Sequence, residues 1–152
     1  MYKRQPLNSL VADTVNLYKS SFTKKKIQVI INIPKELVVK FDEFMLHTII
    51  RNLLSNAIKF SHYNGKITFT ANKKDGKIIL KIIDEGIGIA DEHQKKIFDE
   101  NSDYKALGTD QEKGTGLGLL LSRDFIRENN AEISVESKIN EGTTFKLTLE
   151  EA

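Results

Sequence analysis

The sequence predicts an α+β fold: a two-layer α/β sandwich in which a mixed five-stranded sheet carries about three helices on one face. Two long segments have apolar residues at helical spacing, and a third such segment follows a cluster of glycines. Five short β-rich runs, mostly in hairpin-like neighbours, make up the sheet. We expect a single domain over residues 1–152, a length that suits one hydrophobic core.

The first predicted helix covers residues 7–22, and a strand follows it. The apolar face of this helix consists of Leu7, Leu10, Val11, Val15, Tyr18 and Phe22. The run "IQVIINIP" then has the composition of a short strand, and Pro34 closes it.

The second predicted helix covers residues 43–60, with Asp42 as its N-cap. Its core stripe is formed by Leu46, Ile50, Leu53 and Ala57. Asn52, Asn56 and Lys59 recur at spacings of four and three along the edge of that stripe. Amides are weak helix formers and costly to bury alone, so we expect a polar partner beside this edge.

A β-hairpin is predicted next, from "KITFTAN" and "KIILKIID". The first strand alternates, with Ile67, Phe69 and Ala71 facing inward. The sequence "KKDG" between the strands predicts a loop slightly longer than the tightest kind. The second strand is apolar on both faces, which indicates a central position in the sheet.

The remaining elements flank a long polar segment. A short helix is predicted over residues 91–98 and a longer one over 116–129, followed by the strands "AEISVES" and "TTFKLTL". Residues 99–115 lack periodicity and contain glycines. A loop this long in a compact domain is usually functional or disordered.

Composition excludes several classes of function. The absence of cysteine rules out disulfides and thiolate metal sites and fits a reducing compartment, so we expect a cytoplasmic domain. The 23 basic and 21 acidic residues give no field strong enough to predict nucleic-acid binding. No apolar run approaches a membrane span and no signal-peptide core is present, so we expect no direct membrane contact. The domain could still belong to a larger, membrane-anchored protein.

Two glycine-rich segments could hold phosphate: "DEGIGIA" at 84–90 and "KGTGLGL" at 113–119. Neither fits the Walker pattern or the dinucleotide fingerprint. The first could equally be a simple turn. The second opens a predicted helix, whose free N–H groups and positive dipole end attract anions.

The segments "NLLSNAIKFS", "DEGIGIA", "IF" and "GTGLGL", followed by "GTTF", together resemble the ATP-binding catalytic domain of bacterial sensor histidine kinases. That family has the Bergerat fold and shares a superfamily with the DNA gyrase B subunits, the large heat-shock ATPase chaperones and the mismatch-repair ATPases. The resemblance covers essentially the whole chain. It implies that ATP and Mg²⁺ bind here and that residues 99–115 form a flexible ATP lid.

The resemblance assigns roles to the polar edge of the second helix. It implies that Asn56 binds Mg²⁺, which takes only one or two protein ligands, and that Asn52 supports the same face. The ammonium group of Lys59 would bind phosphate by charge attraction. Phe60 matches a position where an aromatic ring packs against adenine, although core packing is its simpler interpretation. These roles make Asn52, Asn56 and Lys59 the candidate catalytic residues.

The adenine end would be held by the first glycine segment and the last strand. By resemblance, Asp84 accepts a hydrogen bond from the exocyclic amine of adenine, where guanine has an acceptor. Gly86 and Gly88, with Ile89, would let the backbone approach the base and ribose. Thr144 matches a position that helps to hold adenine, with a surface-strand threonine as the alternative.

The phosphates would lie against the second glycine segment. The implied contacts there are Gly114, Thr115, Gly116, Leu117, Gly118 and Leu119, with Lys105 and Lys113 as candidates for the γ-phosphate. Two departures from the family are visible. The aromatic residue and the arginine that often follow "IF" are missing, so the lid contacts to the γ-phosphate would differ from those of the family. The glycine pair before the next strand is replaced within "ENNAEI", which we expect to affect only a turn.

The resemblance implies transfer of the γ-phosphoryl group to a histidine in two-component signalling. ATPase relatives have a water-activating glutamate where this chain has Asn52, and an amide cannot act as a base, so hydrolysis should be slow. His47, His62 and His93 do not fit the acceptor motif. The expected partners are therefore a separate histidine-bearing dimerisation domain of the parent kinase and a downstream response regulator, with the isolated domain monomeric.

Three alternatives remain open at this point. The chain could be an ATP-driven conformational module of the chaperone or topoisomerase kind. It could also be a degenerate module that senses ATP or docks a partner without chemistry. A serine-directed protein kinase of the same superfamily is the third possibility.

Overall fold

The computed structural model describes the backbone of residues 3–97 and 117–152 and the side chains of residues 4–97 and 122–152. Their elements confirm the α+β class. In chain order they are β1 (Lys3–Pro6), α1 (Leu7–Leu17), α2 (Lys19–Lys25), β2 (Gln28–Asn32), β3 (Val38–Phe41), α3 (Glu43–Phe60), β4 (Lys66–Lys74), β5 (Lys77–Asp84), α4 (Asp91–Gln94), α5 (Leu117–Glu128), β6 (Glu132–Lys138) and β7 (Gly142–Glu150).

The main sheet has five strands in the order β2-β4-β5-β7-β6. β2 pairs with β4 in parallel, and the other three pairings are antiparallel, so the sheet is mixed as predicted. β5 is central, which confirms the prediction from its apolar residues on both faces. The antiparallel pair β1 and β3 forms a second, smaller sheet that the sequence did not reveal. Both strands have four residues, too few for a clear alternating pattern.

The predicted first helix is interrupted, so the prediction of one helix over residues 7–22 is wrong. α1 ends at Leu17, and the capping residue Tyr18 has φ and ψ of −106° and 14°, which are not helical. The N–H of Tyr18 donates to the carbonyl of Val15 at 3.0 Å. This tighter bond ends the α-helical pattern, and α2 starts at the next residue. Val11 in α1 and Phe22 in α2 are both buried, so both short helices reach the core.

The hairpin between β4 and β5 is tighter than predicted. Lys74 pairs with Lys77, which leaves only Asp75 and Gly76 in the loop. Both have positive φ, 51° and 75°, the conformation of a two-residue type I′ turn. The sequence Asp-Gly is a strong signal for that turn, and counting four loop residues overlooked it.

The core lies between the main sheet and the helices, with α3 in the middle. α3 contacts α1, α5 and β5. Its predicted core stripe is fully buried, and the β4 residues predicted to face inward, Ile67, Phe69 and Ala71, are buried in the same core. Asp42 caps the helix by accepting a hydrogen bond from the N–H of Met45 at 3.0 Å. Within the described residues, no helix combines the length and apolar character needed to cross a membrane.

Candidate functional site

The C-terminal end of α3 docks directly onto the first glycine segment. The carbonyl of Phe60 accepts a hydrogen bond from the N–H of Ile87 at 3.0 Å, and Ser61 forms a β-bridge with Gly86. A Cβ on Gly86 would lie 2.0 Å from the Phe60 carbonyl oxygen, so only glycine permits this approach. The C-terminal end of α3, next to Lys59, and the segment 84–90 are therefore neighbours.

A buried lysine holds this end of α3. The ammonium of Lys25, at the end of α2, donates hydrogen bonds to the carbonyls of Ile58 at 2.9 Å, Lys59 at 3.1 Å and Ser61 at 3.4 Å. The last carbonyls of a helix have no partner within the helix, and they carry the negative end of its dipole. Lys25, only 3% exposed, donates to two of them, those of Ile58 and Lys59. Lys25 lies within the run "TKKK" at 23–26, and nothing in that local pattern distinguishes it from its exposed neighbours Lys24 and Lys26.

The two asparagines on α3 differ in what they contact. The amide of Asn52 donates to the hydroxyl of Ser122 on α5 at 3.3 Å, so part of the polar partner expected for this edge is α5 itself. Asn56 lies one turn later and is half-buried. Within the described part of the chain, its amide forms no hydrogen bond, which leaves its oxygen available to a ligand.

Lys59 and Phe60 contact each other at the end of the same helix. The Nζ of Lys59 lies 4.8 Å from the centroid of the Phe60 ring, within the range of a cation–π interaction. Phe60 is half-buried and lies outside the hydrophobic core. Its ring therefore keeps an open surface beside a cationic group.

Asp84 ends the central strand and is 5% exposed. Burial raises the pKa of Asp84 from its ordinary value of 3.8 to about 6, and hydrogen bonds with the backbone of Gly86 and Thr143 lower it in part. The N–H of Gly86 donates to its Oδ1 at 3.0 Å. At neutral pH the side chain is therefore mostly a carboxylate, a strong acceptor held at the edge of the core.

The register of β5 and β7 decides which threonine accompanies Asp84. Thr143 pairs with Asp84, whereas Thr144 pairs with Ile83. Directly paired residues point to the same face of a sheet and successive residues to opposite faces. Thr143 is buried at 5% exposure, on the face that carries Asp84, and Thr144 lies on the opposite face. The structure thus brings Thr143, and not the predicted Thr144, to the side of Asp84.

Gly88 and Gly142 allow the first glycine segment to lie close to the β6–β7 turn. Gly88 has φ +74°, and a Cβ there would lie 2.0 Å from the carbonyl oxygen of Lys138. Gly142 has φ +126°, and its Cβ would lie 2.1 Å from the carbonyl of Asp84. The N–H of Asn140 also donates to the carbonyl of Ile87 at 2.8 Å. Close packing of the backbone within the protein is therefore enough to require glycine at positions 88 and 142, with or without a bound ligand.

Ile89 faces the protein interior. Its side chain is 7% exposed and belongs to the hydrophobic core. Its N–H donates to the hydroxyl of Ser137 at 2.7 Å. The structure therefore places the side chain of this predicted site residue in the core, and its N–H anchors the glycine segment to β6.

The departure at "ENNAEI" affects more than a turn, contrary to the prediction. Asn129 is 2% exposed; its Oδ1 accepts from the N–H of Asp42 at 2.9 Å, and its Nδ2 donates to the carbonyl of Phe125 at 2.8 Å. This amide connects the end of α5 with the start of α3. The partners lie 87 residues apart in sequence, so no local pattern could have indicated the contact.

Part of the predicted phosphate-binding region is not described. The lid (99–115) and the residues Lys105, Lys113, Gly114, Thr115 and Gly116 lie outside the described residues. Leu117, Gly118 and Leu119 form the start of α5, in agreement with the prediction that a helix opens at these glycines.

The donor groups fit Mg²⁺ better than an ion that requires a full protein cage. Among the described residues, no group of three or more histidine, cysteine, aspartate or glutamate side chains could hold a metal. Mg²⁺ keeps most of its waters and phosphate oxygens and takes one or two protein oxygens. The available Asn56 oxygen meets that requirement, and Asn56 stands on the same helical edge as Lys59.

Comparison with known proteins gives consistent matches. Residues 41–152 match the family described as histidine kinase-, DNA gyrase B-, and HSP90-like ATPase. The chain is 35% identical over 142 residues to the adaptive-response sensory kinase SasA of Synechocystis sp., covering 92% of this chain and 37% of that protein. It is 30% identical over 145 residues to the sensor protein SrrB of Staphylococcus aureus, covering 95% of this chain and 25% of SrrB. The chain thus spans about a quarter to two fifths of these relatives.

Solved structures match over nearly the whole chain. The nucleotide-free catalytic domain of the histidine kinase ThkA has a TM-score of 0.86 and 26% identity, with 99% of this chain and 98% of that chain covered. ThkA in complex with the response regulator protein TrrA has a TM-score of 0.80 and 22% identity, with 99% and 42% covered. The fold of this chain is that of histidine kinase catalytic domains.

Proposed function

The chain belongs to the histidine kinase-, DNA gyrase B- and HSP90-like ATPase family, and on this premise we propose that it binds Mg-ATP and donates the γ-phosphoryl group to a histidine. The acceptor would lie on a separate dimerisation and phosphoacceptor domain of the same kinase, in a two-component pathway that continues to a response regulator. The domain would act in the cytoplasm, where ATP is available.

One observation carries this proposal: the end of α3 is fastened to the glycine segment beside Asp84. The Phe60–Ile87 hydrogen bond joins the last turn of α3 to the segment that follows Asp84, which supports a common site for the α3 side chains and the buried carboxylate. Asn56 and Lys59 would face the phosphates, and Asp84 with Thr143 would face adenine. The half-buried ring of Phe60 would supply apolar surface between these two polar groups.

At the adenine end, the carboxylate of Asp84 would accept a hydrogen bond from the exocyclic amine of the base. A buried, ionised acceptor makes a charge-assisted bond, which is stronger than one between neutral groups. A base with a carbonyl at the same position would place two acceptors together and be rejected. Thr143 would take the role that the resemblance gave to Thr144, and its pairing with Asp84 supports this assignment.

At the phosphate end, Asn56 would offer its side-chain oxygen to Mg²⁺, and Lys59 would offer its ammonium to phosphate. When bound, the metal would neutralise charge on the phosphate oxygens. In the transfer, the bond from the γ-phosphorus to the leaving oxygen of ADP breaks, and a bond from that phosphorus to an imidazole nitrogen of the acceptor forms.

Whether the γ-phosphoryl group goes to water or to a histidine depends on whether a general base stands near the γ-phosphate. Asn52 stands one helical turn before Asn56, and its amide is engaged with Ser122. An amide cannot accept a proton from water at neutral pH, so water attack on the γ-phosphate would be slow. A histidine nucleophile supplied by another domain needs no such base, which favours transfer over hydrolysis.

A phosphotransfer assay tests the proposal. The chain is incubated with Mg²⁺, ATP labelled at the γ-phosphate and a separately prepared histidine-bearing hairpin of the parent kinase. We expect label on the hairpin with the wild-type chain and with Ser55→Ala, an exposed neighbour on α3, and loss of label with Asn56→Ala. Brisk ATP turnover without an acceptor would support an ATP-driven conformational module instead. Tight ATP binding with neither activity would support an ATP-sensing module.

A further inference from the structure

The hydroxyl of Ser137 on β6 has three neighbours at hydrogen-bond distance. It accepts from the N–H of Ile89 at 2.7 Å, donates to the carbonyl of Gly142 at 2.9 Å, and lies 2.7 Å from the hydroxyl oxygen of Thr143. A serine hydroxyl has one proton and two lone pairs. These three contacts use all of them.

The direction of the Ser137–Thr143 bond follows from this count. The Ile89 amide can only donate and the Gly142 carbonyl can only accept, so the proton of Ser137 is committed to Gly142. Thr143 must then donate its own proton to Ser137. The Thr143 hydroxyl then has only its lone pairs available, so it can only accept a hydrogen bond from a ligand.

The position of Ser137 is itself fixed. The side-chain amide of Gln94, at the end of α4, donates to the backbone carbonyls of Ile89 and Ser137, each at 2.8 Å. This single amide ties the glycine segment, at Ile89, to strand β6. The backbone that carries the Ser137 hydroxyl is therefore held against the glycine segment.

Thr143 and Asp84 form a pair of acceptors on one face. They are directly paired residues of β7 and β5, and such pairs bring their side chains to within about 5 Å. The carboxylate of Asp84 accepts and, because of Ser137, so does Thr143. Two adjacent acceptors suit a group with two N–H protons and repel a carbonyl oxygen.

We propose that Ser137 is a positioning residue that sets base specificity, because it holds the Thr143 hydroxyl as an acceptor beside Asp84. The inference rests on the proposed binding of an adenine nucleotide at this site. It extends that function in one respect. Part of the preference for a 6-amino purine over a 6-oxo purine would come from Ser137, which need not contact the nucleotide.

Titration calorimetry with Mg-ATP and Mg-ITP tests this role, since inosine carries a carbonyl where adenine carries its amine. In Ser137→Ala, the Thr143 hydroxyl is free to turn and donate to that carbonyl. We expect the ratio of the ITP to the ATP dissociation constant to fall about five- to tenfold, the effect of one neutral hydrogen bond. Ser137→Thr, which keeps the hydroxyl, should retain the wild-type ratio, as should Ser134→Ala, an exposed serine on the same strand.

Thr143→Val provides a second measurement that leaves the hydrogen bonds of Ser137 to Ile89 and Gly142 in place. It removes one acceptor and should also lower the ratio. Equal weakening of both nucleotides in Ser137→Ala, with an unchanged ratio in Thr143→Val, would overturn the role of Ser137 while leaving the proposed function intact. Failure of the wild-type chain to bind Mg-ATP at all would overturn the proposed function itself.

Discussion

The ammonium of Lys25 lies 2.9 Å from the carbonyl oxygen of Ile58, a residue 33 positions later in the sequence. This contact joins the end of α2 to the last turn of α3, from which Lys59 and Phe60 project. A cation at a helix C-terminus is favourable, and a buried one that satisfies several carbonyls is hard to replace. The last turn of α3, which carries two candidate site residues, is thus held by a buried lysine from another helix.

We expect Lys25→Met to reduce the free energy of unfolding by about 2–3 kcal/mol, because buried carbonyls of α3 lose their donor. Urea unfolding measures this, with Lys24→Met, an exposed neighbour, as the control. ATP affinity should fall as well, since the last turn of α3 loses its anchor. Equal stability of the two variants would show that the Lys25 contacts contribute nothing net.

Gly86→Ala should disrupt the docking of α3 on the glycine segment. The added Cβ would lie 2.0 Å from the Phe60 carbonyl oxygen, so the backbone must move, at a cost of roughly 1–3 kcal/mol. Because the site is built across this contact, we expect at least about a tenfold loss of ATP affinity. Calorimetry and urea unfolding check both effects.

Gly76→Ala is the matched control for that variant. Gly76 has φ +75° but no atom within 4 Å of an added Cβ, so its substitution costs only backbone strain in a distant turn. It should destabilise the chain and leave ATP affinity unchanged. Loss of affinity in both variants would mean that the effect of Gly86→Ala is not specific to the docking contact.

Asp84→Asn should stabilise the chain at neutral pH although it weakens nucleotide binding. The folded-state pKa of Asp84, about 6, exceeds its ordinary value of 3.8, so folding favours the protonated acid. The stability that Asp84 contributes is therefore fully present below pH 3.8 and is lost as pH rises to about 6 and above. The loss amounts to roughly 3 kcal/mol, and a neutral amide avoids most of it.

The measurement is urea unfolding of wild type and Asp84→Asn between pH 4 and pH 8. The stability difference in favour of the variant should appear between pH 4 and pH 6 and then remain constant. Asp13→Asn, at an exposed position on α1, serves as a control for the general effect of removing a carboxylate. A difference that does not change with pH would contradict the raised pKa.

Removal of the metal should affect wild type and Asn56→Ala differently. If Asn56 supplies the protein oxygen to Mg²⁺, chelation by EDTA should weaken ATP binding to the wild-type chain by about tenfold or more. Asn56→Ala should bind ATP weakly with Mg²⁺ present and respond little to EDTA. Calorimetry gives both values, and an unchanged response to EDTA in Asn56→Ala would exclude this residue as the ligand.

Local sequence patterns predicted much of the fold. The helical spacing of Leu46 to Ala57 and the cap at Asp42 gave α3 almost to the residue, and the apolar residues of β5 gave its central place. The motifs at the end of α3 and in the first glycine segment were both recognised, and the structure brings Phe60 and Ser61 into contact with that segment. The short strands β1 and β3 were not predicted, because four residues are too few for a periodic pattern that distinguishes a strand from a loop.

The candidate site shows where such patterns stop being informative. "GTTF" contains two adjacent threonines, and resemblance pointed to Thr144, whereas the pairing of β7 with β5 brings Thr143 to Asp84. A strand has a period of two, so a shift of one residue exchanges the two faces of the sheet. Only the register against another strand resolves that choice.

The sequence by itself determined the fold class, the family resemblance and the residue types available for phosphate, metal and adenine, because these depend on periodicity and on short motifs read along the chain. The tertiary structure alone decided that Lys25 is buried, that Asn129 connects α5 to α3, and that Ser137 restrains Thr143. The first two contacts join residues 33 and 87 positions apart. A hydrogen bond depends on the distance between atoms in the folded chain, and the residues that approach one another are set by the packing of the whole domain.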